Sequence, residues 1–131
     1  MNCVTISEEL LAFRQRVAGC YVVAFADLST GMVLASSTSE KVTQEKLDQL
    51  CAAGFDALLG PKAACVAQHV GASASADPHM AVVATDLGVE CFVRSCHPAQ
   101  EALCFRVSER VHLDTLFNEA FVLLERLVGE V

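Results

Sequence analysis

The chain has 131 residues, of which 53% are hydrophobic and 6% aromatic, and its 16 acidic and 9 basic residues give a formal net charge of −7. This composition excludes a disordered chain and predicts one domain, residues 1–131, with an aliphatic core, while the charge argues against nucleic acid and anionic membranes as partners. No apolar run approaches the roughly 18 residues that would span a bilayer, and the N-terminus lacks a secretory pattern, so we expect a cytoplasmic protein without membrane insertion.

The first element is a short helix that ends before Gly19. Thr5 and Glu8 match a capping box, with a hydroxyl at the N-cap and a glutamate three residues later. Apolar residues follow at helical spacing, at Ile6, Leu10, Phe13 and Val17.

A hairpin comes next, with strand one at Cys20–Ala26, a turn at Asp27–Gly31 and strand two at Met32–Ser36. Strand one is apolar at every position from Tyr21 to Ala26. A strand that exposes one face to water should alternate. We therefore expect both faces of strand one to be covered.

The second helix begins after Thr43 and ends at Gly60-Pro61. Its apolar face is formed by Leu47, Leu50, Cys51, Gly54, Phe55 and Leu58. For Lys62–Val70 we leave open a further helical turn or two, and Gly71–Pro78 has the composition of a loop.

Three strands and a helix complete the chain. The strands are predicted at Met80–Thr85, Val89–Ser95 and Leu103–Val107, the last of which is allowed to run to Val111. The helix carries one apolar stripe, formed by Leu113, Leu116, Phe117, Ala120, Phe121, Leu124, Leu127 and Val128.

The element order is thus helix, two strands, helix, three strands, helix. Tight turns predict a largely antiparallel five-stranded sheet, with strand one between strands two and five and with strands two and three at the edges. Three amphipathic helices, two on one face and one on the other, would make a three-layer α/β/α sandwich of the α+β class.

Strand three is a liability as an edge strand, because neither charge nor proline interrupts it. Helix two carries small residues that permit close helix approach. A two-fold dimer pairing strand three and packing helix two on its mate would cover both, although the small face of helix two also suits packing on its own sheet. The predicted interface residues are Leu50, Cys51, Gly54, Ala57, Leu58, Met80, Val82 and Val83.

The chain resembles the Roadblock family, the dynein-light-chain domains and their bacterial relatives that partner small Ras-like GTPases. The resemblance rests on the element order and on three stretches, "GCYVVAFADLSTGMVLASS", "LDQLCAAGFDALL" and "MAVVATDLGVECFVRS". It implies that helices one and three share a sheet face opposite helix two, and that dimers form through helix two and strand three. The implied role is a non-enzymatic scaffold or GTPase regulator, with a second copy or a paralogous chain and a small GTPase, or a motility or secretion complex, as partners.

The sequence does not predict an enzyme, since it lacks a phosphate-binding glycine loop, G-x-S-x-G and H-E-x-x-H. We expect no cofactor. The seven cysteines, odd in number and often within apolar runs, are interpreted as reduced core residues; they are Cys3, Cys20, Cys51, Cys65, Cys91, Cys96 and Cys104.

Three alternatives remain open at this stage. Cys91, Cys96, His97 and Cys104 could converge on zinc if Cys91 and Cys104 face each other across strands four and five. Arg94, Arg106 and Arg110 could form a partner-binding strip for an acidic surface, or be solvated strand residues. The aliphatic interior would also suit a small-molecule-sensing module on a related profilin-like fold.

Overall fold

The structure, a computed structural model, describes residues 3–59, 79–86, 88–95 and 100–130. These residues form three helices and five strands. The elements are α1 (Cys3–Arg16), β1 (Cys20–Asp27), β2 (Met32–Thr38), α2 (Gln44–Leu58), β3 (Met80–Thr85), β4 (Gly88–Arg94), β5 (Glu101–Val107) and α3 (Leu113–Glu130).

The strands form one five-stranded sheet in the order β2-β1-β5-β4-β3, and all four neighbouring pairs are antiparallel. This confirms the predicted α+β class, the pairing of β1 with β2 and β5, and the edge positions of β2 and β3. Gly31 closes the first hairpin with a φ of 75°, a conformation that glycine adopts without steric cost.

Both faces of the sheet are covered, as the lack of alternation in β1 predicts. Val23 and Phe25 pack with α1 and α3 on one face, whereas Val22, Ala24 and Ala26 pack with α2 on the other, and all five are buried. We refer to these faces as the α1/α3 face and the α2 face.

On the α1/α3 face the two helices run antiparallel and are joined by two ion pairs. Arg16 contacts Glu119 at 3.0 Å, and Arg126 contacts Glu9 at 3.2 Å. Because most of these side chains are substantially exposed, the pairs orient the helices more than they stabilise them. Helix α1 covers β1 and β2, while α3 covers β4 and β5.

On the other face α2 crosses the sheet and contacts every strand. The hydroxyl of Thr43 accepts a hydrogen bond from the backbone N–H of Lys46 at 3.2 Å, so Thr43 is the N-cap, as predicted. Gly54 brings the helix close to the sheet, because a Cβ at this position would lie 3.0 Å from Phe92 Cδ1 and 3.1 Å from Cys104 Sγ.

Several predicted boundaries and core assignments are wrong. Helix α1 begins at Cys3, so Thr5 lies inside the helix and is not its N-cap. Strand β5 begins two residues early, at Glu101, and does not continue to Val111. Leu113 is exposed, and Leu123, absent from the predicted stripe, is buried because α3 packs on both the sheet and α1.

The predictions for Lys62–Val70 and Gly71–Pro78 lie outside the described residues. Among the helices that are described, none is long and apolar enough to cross a membrane.

Candidate protein-interaction surface

Among the described strands, β3 lies at one edge of the sheet and pairs only with β4, and it exposes the apolar side chains of Met80 and Val82. Its register with β4 runs without interruption through six residue pairs. Arg94 donates its backbone N–H to the carbonyl of His79 at 2.8 Å. Because hydrogen-bonded and non-hydrogen-bonded pairs alternate in an antiparallel ladder, the backbone N–H and C=O groups of Met80, Val82 and Ala84 are directed away from β4.

The free edge of β2 differs, since it contains a β-bulge opposite Phe25 and Ala26. Leu34 is the extra residue, because Ala35 pairs with Phe25 and Val33 pairs with Ala26. A bulge twists an edge strand and interrupts the alternation that a further strand would need. The two edges of the described sheet are therefore not equivalent, since β3 offers an unbroken ladder to another strand and β2 does not.

Four of the eight predicted interface residues are buried within the single chain. Leu50, Cys51, Gly54 and Leu58 all lie on the face of α2 that packs against the chain's own sheet. They pack on the chain's own sheet, and their assignment to a dimer interface stays a prediction.

The other four interface residues lie nearer the surface. Met80 and Val82 are 53% and 48% exposed, and they lie on the α1/α3 face because Val82 pairs with the buried Cys91. Val83 and Ala57 are half-buried beside the α2 core. The interface of all eight residues stays a prediction.

Phe55 was assigned from sequence to the inner face of α2, but it is 45% exposed. The apolar residues of α2 extend around more of the helix than one buried stripe, so composition alone could not separate inward from outward positions. An exposed phenylalanine on α2 adds an apolar side chain to the surface that the helix presents.

The three predicted partner-binding arginines do not form one strip. Arg94 and Arg106 both lie on the α2 face of the sheet. The cross-strand pair of Phe92 and Cys104, on which Gly54 packs, lies between them. Arg110 follows β5 and is exposed. The partner-binding role of these arginines stays a prediction.

Arg106 is engaged within the chain. Its Nη2 donates to Glu90 Oε2 at 3.0 Å, and the two side chains are only 17% and 9% exposed. The Nε of Arg106 is buried without a hydrogen-bond partner. An arginine paired in this way balances the charge of the carboxylate beside it and presents little charge to an incoming surface.

The zinc arrangement proposed from sequence is wrong for its two strand cysteines. Cys91 pairs with Phe105, and Cys104 pairs with Phe92. Residues directly opposite in a ladder share a face, so Cys91 lies in the α1/α3 core and Cys104 in the α2 core, on opposite sides of the sheet. Within the described ranges there is no group of three or more metal-ligating side chains; Cys96 and His97 lie outside them.

The described core cysteines are poorly nucleophilic. Burial raises the pKa of Cys91 to about 11 and that of Cys20 to about 12, and it raises the pKa of the Cys51 and Cys104 thiols as well. Because the thiolate is the reactive form, these four residues act as small apolar side chains.

The fold has solved counterparts. A Roadblock/LC7 domain from Streptomyces avermitilis superposes with a TM-score of 0.74 at 13% identity over 95% of each chain. Myxococcus xanthus MglB gives 0.71 at 13% identity over the whole of both chains. The gliding protein MglB from Thermus thermophilus gives 0.64 at 19% identity over 98% of this chain and 90% of its own.

The chain therefore has the Roadblock/LC7 fold, as the sequence resemblance implied. The sequence matches no family model and no curated protein. The likeness thus lies in the arrangement of the helices and strands, at identities too low to carry individual residues from one chain to the other.

Proposed function

We propose that this chain is a non-enzymatic regulatory scaffold of the cytoplasm that pairs with a second copy, or with a paralogous chain, through the β3 edge and the outward surface of α2. The single observation that carries the proposal is the free edge of β3. It combines an unbroken register, apolar exposed side chains and the absence of any charged residue or proline from Met80 to Thr85.

The physical argument is that such an edge requires a cover. Soluble proteins interrupt free edges with charges, prolines or bulges to prevent uncontrolled strand addition. The β2 edge has its bulge, whereas β3 has no such device. A two-fold axis normal to the sheet would join β3 to its mate in antiparallel fashion and satisfy the outward backbone groups of both copies.

The comparisons support the same class of function. A further solved structure of this fold is MglB in a tetrameric arrangement, with a TM-score of 0.68 at 15% identity over 89% of this chain and 80% of its own. Its self-association, and the gliding role in the name of the Thermus protein, belong to those proteins. Together with the Roadblock resemblance, they favour a small Ras-like GTPase or a motility or secretion complex as the partner here.

The test is molar mass by light scattering after size exclusion, in reductant, over a range of concentrations. The native chain should give about twice 14.0 kDa. Val82→Lys places a charge on the β3 edge and should give monomers, while the matched control Leu34→Lys on the β2 edge should leave the dimer intact. A native chain that is monomeric throughout, or a Leu34→Lys variant that dissociates as readily as Val82→Lys, would contradict the pairing.

The GTPase is tested separately, by titrating the purified chain with small GTPases of the same organism in their GDP-bound and GTP-bound forms. Binding that depends on the nucleotide state is expected for a GTPase regulator. A dimer that binds none of them in either state would retain the scaffold but exclude this partner class. The alternative of a small-molecule sensor stays a prediction.

A further inference from the structure

The backbone groups of β3 that face away from β4 restrict the registers in which a second β3 strand can pair with it. Met80, Val82 and Ala84 direct their N–H and C=O groups outward. In an antiparallel ladder two such residues lie directly opposite each other and exchange both of their hydrogen bonds. A two-fold pair is therefore centred on a residue that lies opposite itself, and the centres that keep most of the strand paired are Ala81, Val82 and Val83.

A pair centred on Val82 uses the whole strand. Val82 then lies opposite its own counterpart and Met80 lies opposite Ala84, so every outward-facing residue of both strands is hydrogen-bonded. A pair centred on Ala81 places Ala84 beyond the first residue of the other strand, and one centred on Val83 places Met80 opposite Asp86, after the other strand has ended. The backbone therefore favours the register centred on Val82.

The side chains of β3 are complementary to themselves in this register. The long side chain of Met80 faces Ala84 on the α1/α3 face, and Val83 faces Ala81 on the α2 face. Each larger residue thus meets a small one, while the two central valines form a β-branched pair of the kind that packs well across strands. Met80 and Val82 are both exposed in the single chain, so both have apolar surface to bury in such a pair.

We propose that the strand partner of β3 is a second copy of this chain, in the register that sets Val82 directly opposite itself across the two-fold axis. The inference rests on the proposed pairing through β3, and it selects a second copy over a paralogous chain. A paralogous strand would keep the fit only by repeating the same order of large and small residues. Val82 controls self-recognition, because any change at this position appears twice at the centre of the interface.

Cysteine crosslinking distinguishes the registers. In the proposed register two cysteines at position 82 have Cα atoms about 5.5 Å apart, which a disulfide can bridge. Cysteines at position 81 or 83 are displaced by two residues from their own counterparts, so their Cα atoms are about 8 Å apart and cannot be bridged. The variants Ala81→Cys, Val82→Cys and Val83→Cys are incubated with oxidised glutathione and separated on denaturing gels without reductant. The controls are the native chain and Leu34→Cys, at an exposed position on the β2 edge.

Val82→Cys should give a disulfide-linked dimer, whereas the other variants should give no more of it than the native chain. Preferential crosslinking at position 81 or 83, or at none of the three positions, would overturn the register. If light scattering still shows a dimer in that case, the proposed function stands without this register. A native chain that is monomeric at every concentration overturns both.

A pair of opposite charges tests self-recognition without a covalent bond. Val82→Lys and Val82→Glu each place two like charges directly opposite one another, so each variant alone should dimerise at least about tenfold more weakly than the native chain. An equimolar mixture places lysine opposite glutamate and should dimerise at least about tenfold more tightly than either variant alone, with a gain that added salt reduces. A mixture no tighter than its components would overturn the proposal, because position 82 would then not face itself.

Discussion

Gly54 provides the sharpest test of the packing between α2 and the sheet. An alanine at this position would place its Cβ 3.0 Å from Phe92 Cδ1, 3.1 Å from Cys104 Sγ and 3.3 Å from Phe92 Cε1. Both neighbours are fully buried, so neither can move into solvent. The added methyl group therefore requires Phe92, Cys104 or the helix itself to shift by a few tenths of an ångström.

The magnitude follows from two opposing effects. Replacing glycine by alanine inside a helix stabilises by about 1 kcal/mol. Forcing a methyl group into a packed core costs about 1–3 kcal/mol, and two contacts this short belong near the middle of that range. We expect Gly54→Ala to lower the free energy of unfolding by about 1 kcal/mol, which is a decrease of about 4 °C in Tm.

The assay is urea unfolding followed by circular dichroism at one fixed protein concentration, because dimerisation would make stability concentration-dependent. Gly129→Ala is the control, since nothing lies within 4 Å of its Cβ and it should be neutral or slightly stabilising. Gly54→Leu should be at least about 3 kcal/mol less stable than the native chain or fail to fold. A Gly54→Ala variant as stable as the native chain would show that α2 does not approach the sheet this closely.

Two further predictions concern buried charge and buried thiols. In urea unfolding, Glu90→Gln should lower the free energy of unfolding by about 2–3 kcal/mol, because Arg106 then lacks its carboxylate partner. Combining Glu90→Gln with Arg106→Met should recover most of this loss. Losses that simply add in the double variant would refute the coupling between the two residues. Burial raises the pKa of Cys91 to about 11 and that of Cys20 to about 12, from an ordinary value of 9.0. Above pH 9 these thiols therefore lose their protons when the chain unfolds. Their contribution to stability is constant below pH 9 and is lost as pH rises toward 12. The urea midpoint should fall above pH 9, and less steeply in Cys91→Ala; an unchanged slope in that variant would contradict this origin.

The order and layering of the elements could be predicted because they depend on patterns within single segments. The uninterrupted apolar run from Tyr21 to Ala26 indicated cover on both faces, and the turn around Gly31 fixed the neighbour of β1. The lack of charged residues and proline in β3 indicated an edge strand that needs to be covered or paired. Each of these features is local and independent of the others.

The side-chain partnerships could not be predicted, because they depend on register. The register between β4 and β5 is a property of the paired strands, and it places Cys91 and Cys104 on opposite faces of the sheet. The burial of Glu90 was missed because its partner, Arg106, lies on another strand. The bulge at Leu34 could not be predicted, because apolar and polar residues do not alternate regularly along β2.

The position of β1 between β2 and β5 also constrains how the chain can be made. During synthesis β1 leaves the ribosome early, but β5, one of the two strands that pair with it, is made much later. Helix α3, which packs beside α1, follows β5. Until then the apolar side chains of Leu10, Phe13 and Phe25 have no complete core to enter. Contacts so distant in sequence slow folding and prolong exposure of apolar surface. We therefore expect nascent chains that end before β5 to depend on chaperones, and the release of the last helix to be the step at which the native core first closes.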